Sequence, residues 1–185
     1  MKTKRDHSQV LPIAQTIVSR LASYCERIEI AGSLRRMAPH VGDIEIVCVP
    51  KFQEDLFGNA TGASLLDGYL DSLIASGKIY HGDDKKWGEK YKKFLFDTTG
   101  GHTFQVDLFI QPDPATWGVN FMIRTGSAEF SQRMVTQRDK GGMCPPGFAF
   151  ISGRLYYAGQ LLETPEERDV FDALGVEWVE PHERN

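Results

Sequence analysis

The spacing of apolar residues at the start of the chain predicts one helix followed by two strands. Helical spacing extends over residues 8–24, with apolar positions at Val10, Ile13, Ile17, Val18 and Leu21. The segments RIEIAG and DIEIVCVP then carry the apolar pattern of strands, and a turn containing Pro39 and Gly42 separates them. The helix is expected to lie on the surface with one buried face.

Helix and strand patterns continue as far as Pro112. One helix is predicted at about residues 63–76, and Gly77 ends it. Three further strands are predicted near Ile79, at KFLFD and at FQVDLFI. The first half of the chain is therefore expected to be α/β (α+β), with a mixed β-sheet flanked by helices.

The pattern changes after the segment QPDP, which marks a soft boundary near Pro112. Two helices are predicted at residues 115–124 and 127–139, followed by a hairpin formed by FAFI and LYYAG. The pattern predicts a first domain of residues 1–111 and a small C-terminal α/β domain of residues 112–185.

A last helix is predicted to begin at the segment TPEE, residues 164–167. Thr164 has the side chain of an N-cap, Pro165 suits the first helical position, and Glu167 completes a capping box. The helix is therefore expected to start directly after Thr164.

The composition is that of an ordinary globular chain in a reducing compartment. The 185 residues are 41% hydrophobic and 25% charged, without repeats or low-complexity tracts. Three cysteines without a C-x-x-C pair argue against disulfides and against a structural zinc site. The basic start MKTKRDH precedes an amphipathic segment, and no stretch reaches transmembrane length. We therefore expect a cytoplasmic protein that is not secreted and has no membrane partner.

The net charge of −4 hides an uneven distribution. Residues 163–185 hold eight acidic and two basic residues, whereas the other 162 residues hold 19 basic and 17 acidic ones. The total charge therefore neither supports nor excludes a nucleic acid partner, and local patches must decide.

Two carboxylates stand two residues apart in a segment that otherwise reads as a buried strand. Asp43 and Glu45 would share one face of that strand, while Ile44 and Ile46 face the core. At ~4 Å their repulsion is about 1 kcal/mol in water and about 4 kcal/mol at a protein surface. A divalent cation compensates such a pair most simply, because hard oxygen ligands suit magnesium.

Asp107 is the candidate for a third carboxylate ligand. It is a lone acid in the apolar segment FQVDLFI. If its strand lies beside DIEIV, three carboxylates meet at one end of the sheet, enough for two metal ions ~3.5 to 4 Å apart. Each feature also fits an ordinary role, since D-x-E pairs are common on exposed strands and a lone Asp can cap a strand end. Their order along one chain favours a catalytic site.

A phosphate cradle is expected just before the carboxylate pair. The first strand ends at Gly32-Ser33, and the short helix that follows would contain Arg35 and Arg36. Backbone N–H groups, the serine hydroxyl and the arginine forks there would bind phosphate oxygens. A metal site beside an anion site is the layout that phosphoryl or nucleotidyl transfer requires.

These ordered motifs resemble the nucleotidyltransferase superfamily, and specifically the DNA polymerase β-like family X. In that family a Gly-Ser-x-Arg-Arg segment leads to a Gly-Asp-x-Asp motif, and residues 32–36 lead to residues 42–45 at the same spacing. The segment TGSAEF, residues 125–130, resembles the family's Thr-Gly-Ser-x-x-Phe nucleotide-binding segment. The closing TPEERDVFDALGVEWVEPHER resembles its C-terminal stretch. The resemblance covers roughly Ile28 to Arg184.

The resemblance implies a nucleotidyltransferase palm at residues 1–111 and a nucleotide-selecting subdomain at residues 112–185. Asp43 and Glu45 would bind both of two Mg²⁺ ions, for which Mn²⁺ can substitute. Asp107 would bind the catalytic ion and help to activate the primer 3′-hydroxyl. These three carboxylates are thus the implied catalytic and metal-binding residues.

The resemblance also implies a set of nucleotide contacts. Ser33, Arg36 and the Gly42 backbone would hold the triphosphate, and Thr125, Gly126 and Ser127 would shape the sugar and base pocket. The implied nucleotide-binding residues are Gly32, Ser33, Arg36, Gly42, Arg124, Thr125, Gly126 and Ser127. Glu45 departs from the usual Asp, and its extra methylene would move the metals or the strand slightly. Arg124 stands where an aromatic residue normally precedes Thr-Gly-Ser.

The segment DDKKWGEKYKK is the candidate DNA contact. Its basic residues suit phosphate contact, and the interleaved Trp87 and Tyr91 suit base stacking. The predicted DNA-binding residues are Lys85, Lys86, Trp87, Lys90, Lys92 and Lys93. The same segment also fits a solvated hairpin, in which Asp83, Asp84 and Glu89 balance the charge. Because the chain is expected to begin just before the palm, as in a minimal family member, its grip on DNA would depend on this segment.

The combined expectation is a metal-dependent DNA-directed DNA polymerase of family X type that adds dNMP to a DNA 3′ end. Short-gap filling in DNA repair is the expected setting, with a dNTP and primer/template or gapped DNA as partners and a monomer as the working form. Two alternatives remain open. One is template-independent nucleotidyl transfer to DNA or RNA, as in a terminal transferase. The other is a non-catalytic nucleotide- or DNA-binding module.

Overall fold

Residues 4–57 and 60–185 are described by the structure, a computed structural model in which the chain crosses three times between two units. The first unit holds the described residues up to Ile30 together with Pro39–Pro112. The second holds Ala31–Ala38 together with Asp113–Asn185. The hydrophobic pattern did not predict that Ala31–Ala38 belongs to the second unit.

Both helices and strands are present in the described residues, which confirms the predicted α/β (α+β) class. The helices are α1 (His7–Leu21), α2 (Gly32–Arg35), α3 (Leu65–Ala75), α4 (Trp117–Thr125), α5 (Ala128–Val135) and α6 (Glu167–Leu174). The strands are β1 (Arg5–Asp6), β2 (Cys25–Ile30), β3 (His40–Val41), β4 (Ile44–Pro50), β5 (Phe52–Glu54), β6 (Ala60–Ser64), β7 (Ile79–His81), β8 (Tyr91–Asp97), β9 (Thr103–Ile110), β10 (Phe148–Ile151), β11 (Arg154–Tyr157) and β12 (Gln160–Leu162). Among the described residues, none of the helices combines the length and hydropathy needed to cross a membrane.

A five-stranded sheet forms the frame of the first unit, in the order β2-β4-β9-β8-β7. Strands β4 and β9 run parallel, and the other three pairs are antiparallel. The sheet is therefore mixed, as the sequence predicted. The parallel pair is possible because α3, β7 and β8 lie between β4 and β9 in sequence and provide the long connection that parallel strands require.

One face of this sheet carries a continuous apolar core at β4 and β9. Ile44 and Ile46 of β4 and Val106 and Leu108 of β9 are fully buried. The helices contribute their own apolar faces, namely Val10, Ala14, Ile17 and Leu21 from α1 and Leu66, Leu70 and Leu73 from α3. Because strand side chains alternate between faces, the residues between these apolar positions project from the opposite face.

The second unit has a core of its own. Its buried cluster consists of Val119, Met122, Phe130, Met134, Cys144, Leu155, Val170, Phe171 and Leu174. The predicted hairpin is present as β10 and β11, and β12 extends it to a three-stranded antiparallel sheet. Helix α5 ends at Val135, four residues before its predicted end, and a short 3₁₀ turn at Arg138–Lys140 follows.

The last helix begins later than the capping signal predicted. Helix α6 starts at Glu167, and the backbone N–H of Glu166 donates a hydrogen bond to Oδ2 of Asp169 at 2.7 Å. Thr164 does not cap it. The backbone N–H of Thr164 donates to the carbonyl of Ala115 at 2.6 Å, and its carbonyl accepts from Gly118 N at 2.7 Å. These tertiary bonds hold Thr164 outside the helix.

Candidate active site

Glu45 and Asp107 occupy paired positions in the parallel strands β4 and β9. Paired residues of adjacent strands lie about 4.8 Å apart and project from the same face of the sheet. Asp43 lies in the bend just before β4, two residues from Glu45. The prediction that the strand of Asp107 lies beside the segment DIEIV is confirmed, and Glu45 and Asp107 share the face opposite to Ile44, Ile46, Val106 and Leu108.

Both carboxylate oxygens of Asp107 accept hydrogen bonds. The hydroxyl of Tyr91 donates to Oδ1 at 2.6 Å, and Nε2 of Gln105 donates to Oδ2 at 2.9 Å. The residue is only 8% exposed. A carboxylate removed from water requires such donors, because an unpaired buried charge is costly. The side chain of Asp107 is therefore held in one orientation by its neighbours.

The three carboxylates offer oxygen ligands of the kind that magnesium prefers. Among the described residues, no group of three or more Asp, Glu, His or Cys side chains is placed so that it could hold a metal ion. The chemistry of the donors still suits one, because Glu45 and Asp107 lie on one face and each carboxylate oxygen has two lone pairs. The catalytic and metal-binding roles of Asp43, Glu45 and Asp107 stay predictions.

A cavity of about 180 Å³ lies beside Asp43 within the first unit. Gln105 and Arg5 also line it, and the guanidinium of Arg5 lies 4.9 Å from the ring centroid of Phe104. The cavity thus combines acidic, amide and basic groups with an aromatic wall. Asp43 and Gln105 thus line a common space.

Arg35, predicted as part of a phosphate cradle, is used inside the second unit instead. Its guanidinium donates two hydrogen bonds to the carboxylate of Glu167, at 2.9 and 2.8 Å, and a third to Oγ1 of Thr125 at 2.6 Å. It also lies 3.9 Å from the ring centroid of Phe121. This corrects the prediction, because the fork that would have bound phosphate binds a buried carboxylate.

Thr125 is fully buried, and its polar groups are bonded within the second unit. Its hydroxyl accepts from Arg35, and its carbonyl accepts from Nη1 of Arg36 at 2.6 Å. The hydroxyl is therefore used inside the unit, and the nucleotide contact predicted for Thr125 stays a prediction. The predicted triphosphate contact of Arg36 stays a prediction.

The rest of the TGS segment forms the corner between α4 and α5. Ser127 caps α5, since its Oγ accepts from the backbone N–H of Phe130 at 3.1 Å. At Gly126 a Cβ would lie 2.6 Å from both Phe130 Cδ1 and Ser131 Oγ, so a residue with a side chain would require these two side chains to shift. Arg124 is exposed at the end of α4. Nucleotide contacts by Arg124, Gly126 and Ser127 stay predictions.

The other predicted triphosphate residues are glycines and a serine. Gly32 and Ser33 lie in α2 of the second unit, and Gly42 lies in the bend before Asp43 in the first. Gly32 has a φ of 62°, a conformation that residues with a side chain rarely adopt. The sequence signal at Gly32 therefore also has a backbone reason, and the three nucleotide contacts stay predictions.

Lys92 belongs to the interior of the first unit and is removed from the predicted DNA contact. It is 4% exposed, and its ammonium donates to the carbonyl of Gly88 at 3.0 Å and lies 3.4 Å from Oδ1 of Asp67. The alternation of β8 explains this, because Lys92 projects from the same face as the buried Phe94. Trp87 lies against Lys92, 5.1 Å from its ammonium.

The basic residues that remain exposed are Lys85, Lys86 and Lys90, and Lys93 is half-buried in β8. The DNA contacts of these four lysines stay predictions. Tyr91 was expected to offer a stacking surface, but its hydroxyl bonds to Asp107. Sequence reasoning missed Tyr91 and Gln105 as partners of Asp107. Gln105 shares a strand face with it at i−2, a signal that was available.

The three cysteines are free and buried. The hydrogen bond with Cys48 lowers the pKa of Cys25, and Lys51 acts in the same direction while burial opposes them. The same hydrogen bond and burial raise the pKa of Cys48 well above its usual value. Cys25 is therefore the thiol of this pair that more readily becomes a thiolate. The predicted cytoplasmic location stays a prediction.

The C-terminal third of the chain matches a known family. Residues 121–185 match the family model of the DNA polymerase beta thumb. These residues lie within the second unit, and the match supports the relationship to polymerase β-like family X that the motifs indicated. A comparison with curated proteins found no match.

Proposed function

We propose that this protein is a magnesium-dependent DNA polymerase of family X type that adds dNMP to a DNA 3′ end, filling short gaps in repair. The observation that carries the proposal is the pairing of Glu45 with Asp107 in neighbouring parallel strands, with Asp43 two residues before Glu45. The thumb match at residues 121–185 independently favours a function related to this family.

The roles follow from the positions of the three carboxylates. Asp43 and Glu45 would hold two Mg²⁺ ions, and Asp107 would share the one nearest the primer 3′-hydroxyl. Magnesium bound there would lower the pKa of that hydroxyl and neutralise charge on the leaving pyrophosphate. Asp107 keeps its carboxylate oriented through the two hydrogen bonds that it accepts.

The proposed partners are a dNTP and gapped or primed DNA. Arg36 and the backbone near Gly42 would contact the triphosphate. Lys85, Lys86 and Lys90 are exposed, and their positive charges would contact DNA phosphates. We propose a monomer as the working form.

The test is primer extension on gapped DNA with labelled dNTPs and Mg²⁺. The wild-type protein should extend the primer with the complementary nucleotide, and Asp107→Asn should reduce extension to background because the substitution removes a charged oxygen ligand. Asp71→Asn is the matched control, since Asp71 is exposed on α3. Its activity should equal that of the wild type.

The same assay separates the proposal from its alternatives. Extension of a single-stranded primer without preference for the complementary nucleotide would identify a template-independent transferase. DNA or nucleotide binding without extension under any metal would identify a non-catalytic module. Full activity of Asp107→Asn would remove the assigned site.

A further inference from the structure

The carboxylate of Asp107 is held by neutral hydrogen-bond donors. Among the described residues, its bonds come from the hydroxyl of Tyr91 and the amide of Gln105. Lys93 of β8 pairs with Asp107 across the sheet, but no ion pair joins their side chains within the described part of the chain. The Lys93 side chain passes close to Gly82, where an added Cβ would lie 2.9 Å from Lys93 Cγ. A neutral donor orients a carboxylate without adding a positive charge that would oppose a metal ion.

The position of the Tyr91 hydroxyl is fixed by an aromatic pair. Tyr91 pairs with Phe109 across β8 and β9, and the two rings stack with centroids 5.1 Å apart and planes at 26°. Phe109 is two residues after Asp107 and therefore lies on the same face of β9. The stack holds the Tyr91 ring over this face, so that its hydroxyl reaches Oδ1 of Asp107.

Gln105 completes the arrangement from the other side. It stands two residues before Asp107 on the same face of β9, and its amide reaches Oδ2. On β9, Asp107 thus lies between Gln105, which donates a hydrogen bond to it, and Phe109, whose ring stacks on that of Tyr91, the other donor. Each carboxylate oxygen accepts one bond and keeps a lone pair for a further ligand.

We propose that Tyr91 and Gln105 are positioning residues that orient Asp107 for metal binding. This inference rests on the proposed function, because it assigns these residues to the metal site of that reaction. Partners that orient a metal-ligating side chain typically change metal affinity or activity by about 10- to 100-fold when they are removed. A role limited to packing would leave metal affinity unchanged.

The test is Mn²⁺ binding measured by electron paramagnetic resonance on the full chain with gapped DNA. Tyr91→Phe removes the hydroxyl and keeps the stacking ring. We expect the half-saturating Mn²⁺ concentration to rise about tenfold, and extension at limiting Mn²⁺ to fall and recover when Mn²⁺ is saturating. Tyr69→Phe is the matched control, because Tyr69 also stacks on an aromatic ring, that of Tyr24 at 4.0 Å. Its Mn²⁺ titration should match that of the wild type.

A second variant and a thermal melt keep the result interpretable. Gln105→Met removes the other donor at similar volume and should weaken Mn²⁺ binding in the same way, while unchanged melting temperatures show that both variants fold. Wild-type Mn²⁺ titrations for Tyr91→Phe and Gln105→Met, with binding abolished in Asp107→Asn, would overturn this inference and leave the proposed function standing. Wild-type extension by Asp107→Asn would instead overturn the proposed function, and this inference with it.

Discussion

Arg35 binds Glu167 through a two-pronged ion pair across 132 residues of sequence, with N···O distances of 2.9 and 2.8 Å. Glu167 is 5% exposed and also accepts a hydrogen bond from the buried Arg184. Burial lowers the pKa of Arg184, and the bond to Glu167 opposes that effect. One carboxylate thus balances two guanidinium groups and ties the short segment Ala31–Ala38 to the rest of the second unit.

Removing Arg35 should destabilise the protein. Arg35→Met deprives a buried carboxylate of its two-pronged partner, and we expect the free energy of unfolding to fall by about 3 kcal/mol in urea titrations. Arg154→Met is the control, since Arg154 and Asp113 form a partly exposed pair at 3.4 Å. That pair should contribute less than about 1 kcal/mol. Equal decreases for the two variants would contradict a special role for Arg35.

Gly118 should tolerate no side chain. A Cβ there would lie 2.1 Å from the carbonyl oxygen of Glu166 and 2.7 Å from that of Thr164, so the backbone would have to move. We expect Gly118→Ala to lower the free energy of unfolding by about 1 to 3 kcal/mol. Gly68→Ala is the control in α3, where a Cβ meets nothing within 4 Å. It should stabilise the protein by about 0.5 to 1 kcal/mol, as measured by thermal and urea unfolding.

The lysines of the basic segment should divide into two groups. The triple variant Lys85→Met, Lys86→Met, Lys90→Met should weaken DNA binding and flatten its salt dependence, by about 0.9 in log–log slope for each DNA phosphate that is no longer neutralised. Lys92→Met should keep the DNA affinity and salt slope of the wild type but lower the melting temperature, because Lys92 is bonded within the unit. Fluorescence anisotropy at several salt concentrations measures both. Identical slopes for the triple variant and the wild type would refute the DNA contact.

Cys25 should be the first thiol to react with iodoacetamide. The thiolate is the reactive form, and the pKa of Cys25 is lowered by its bond with Cys48, whereas burial raises the pKa of Cys144. As the pH rises, alkylation of Cys25 should therefore begin at a lower pH than that of the other thiols, as followed by mass spectrometry.

Lys51 provides the check on this order. Lys51→Met should move the onset of Cys25 alkylation to higher pH, because the lysine favours the thiolate. Lys78→Met, at an exposed position after α3, should leave it unchanged. Preferential alkylation of Cys48 or Cys144 would contradict the expected order.

Strand register explains why some contacts of the candidate site could not be predicted from the sequence. The motifs around Asp43, Glu45 and Asp107 were visible because each carboxylate interrupts an apolar strand. Tyr91 was predicted to stack on bases because it stands in a basic and aromatic segment. Its bond to Asp107 depends on the pairing of β8 with β9, which local patterning does not encode. Lys92 was assigned to DNA by composition, although its alternation with Phe94 placed it on the core face.

The sequence alone determined the elements and the chemistry available to them. Local patterning predicted the main helices and the strands β2, β4 and β7–β11, but not the short strands β1, β3, β5, β6 and β12. The alternation within β4 and β9 placed Glu45 and Asp107 on the face opposite to Ile44, Ile46, Val106 and Leu108, because side chains two residues apart in a strand project from the same face. Only the tertiary structure decided the partners. Arg35 donates hydrogen bonds to both Glu167 and Thr125 within the second unit. A guanidinium fork suits this position because a buried carboxylate is strongly destabilising when it has no charged partner. Such pairings join residues that are distant in sequence, and they form only when the folded chain brings those residues together.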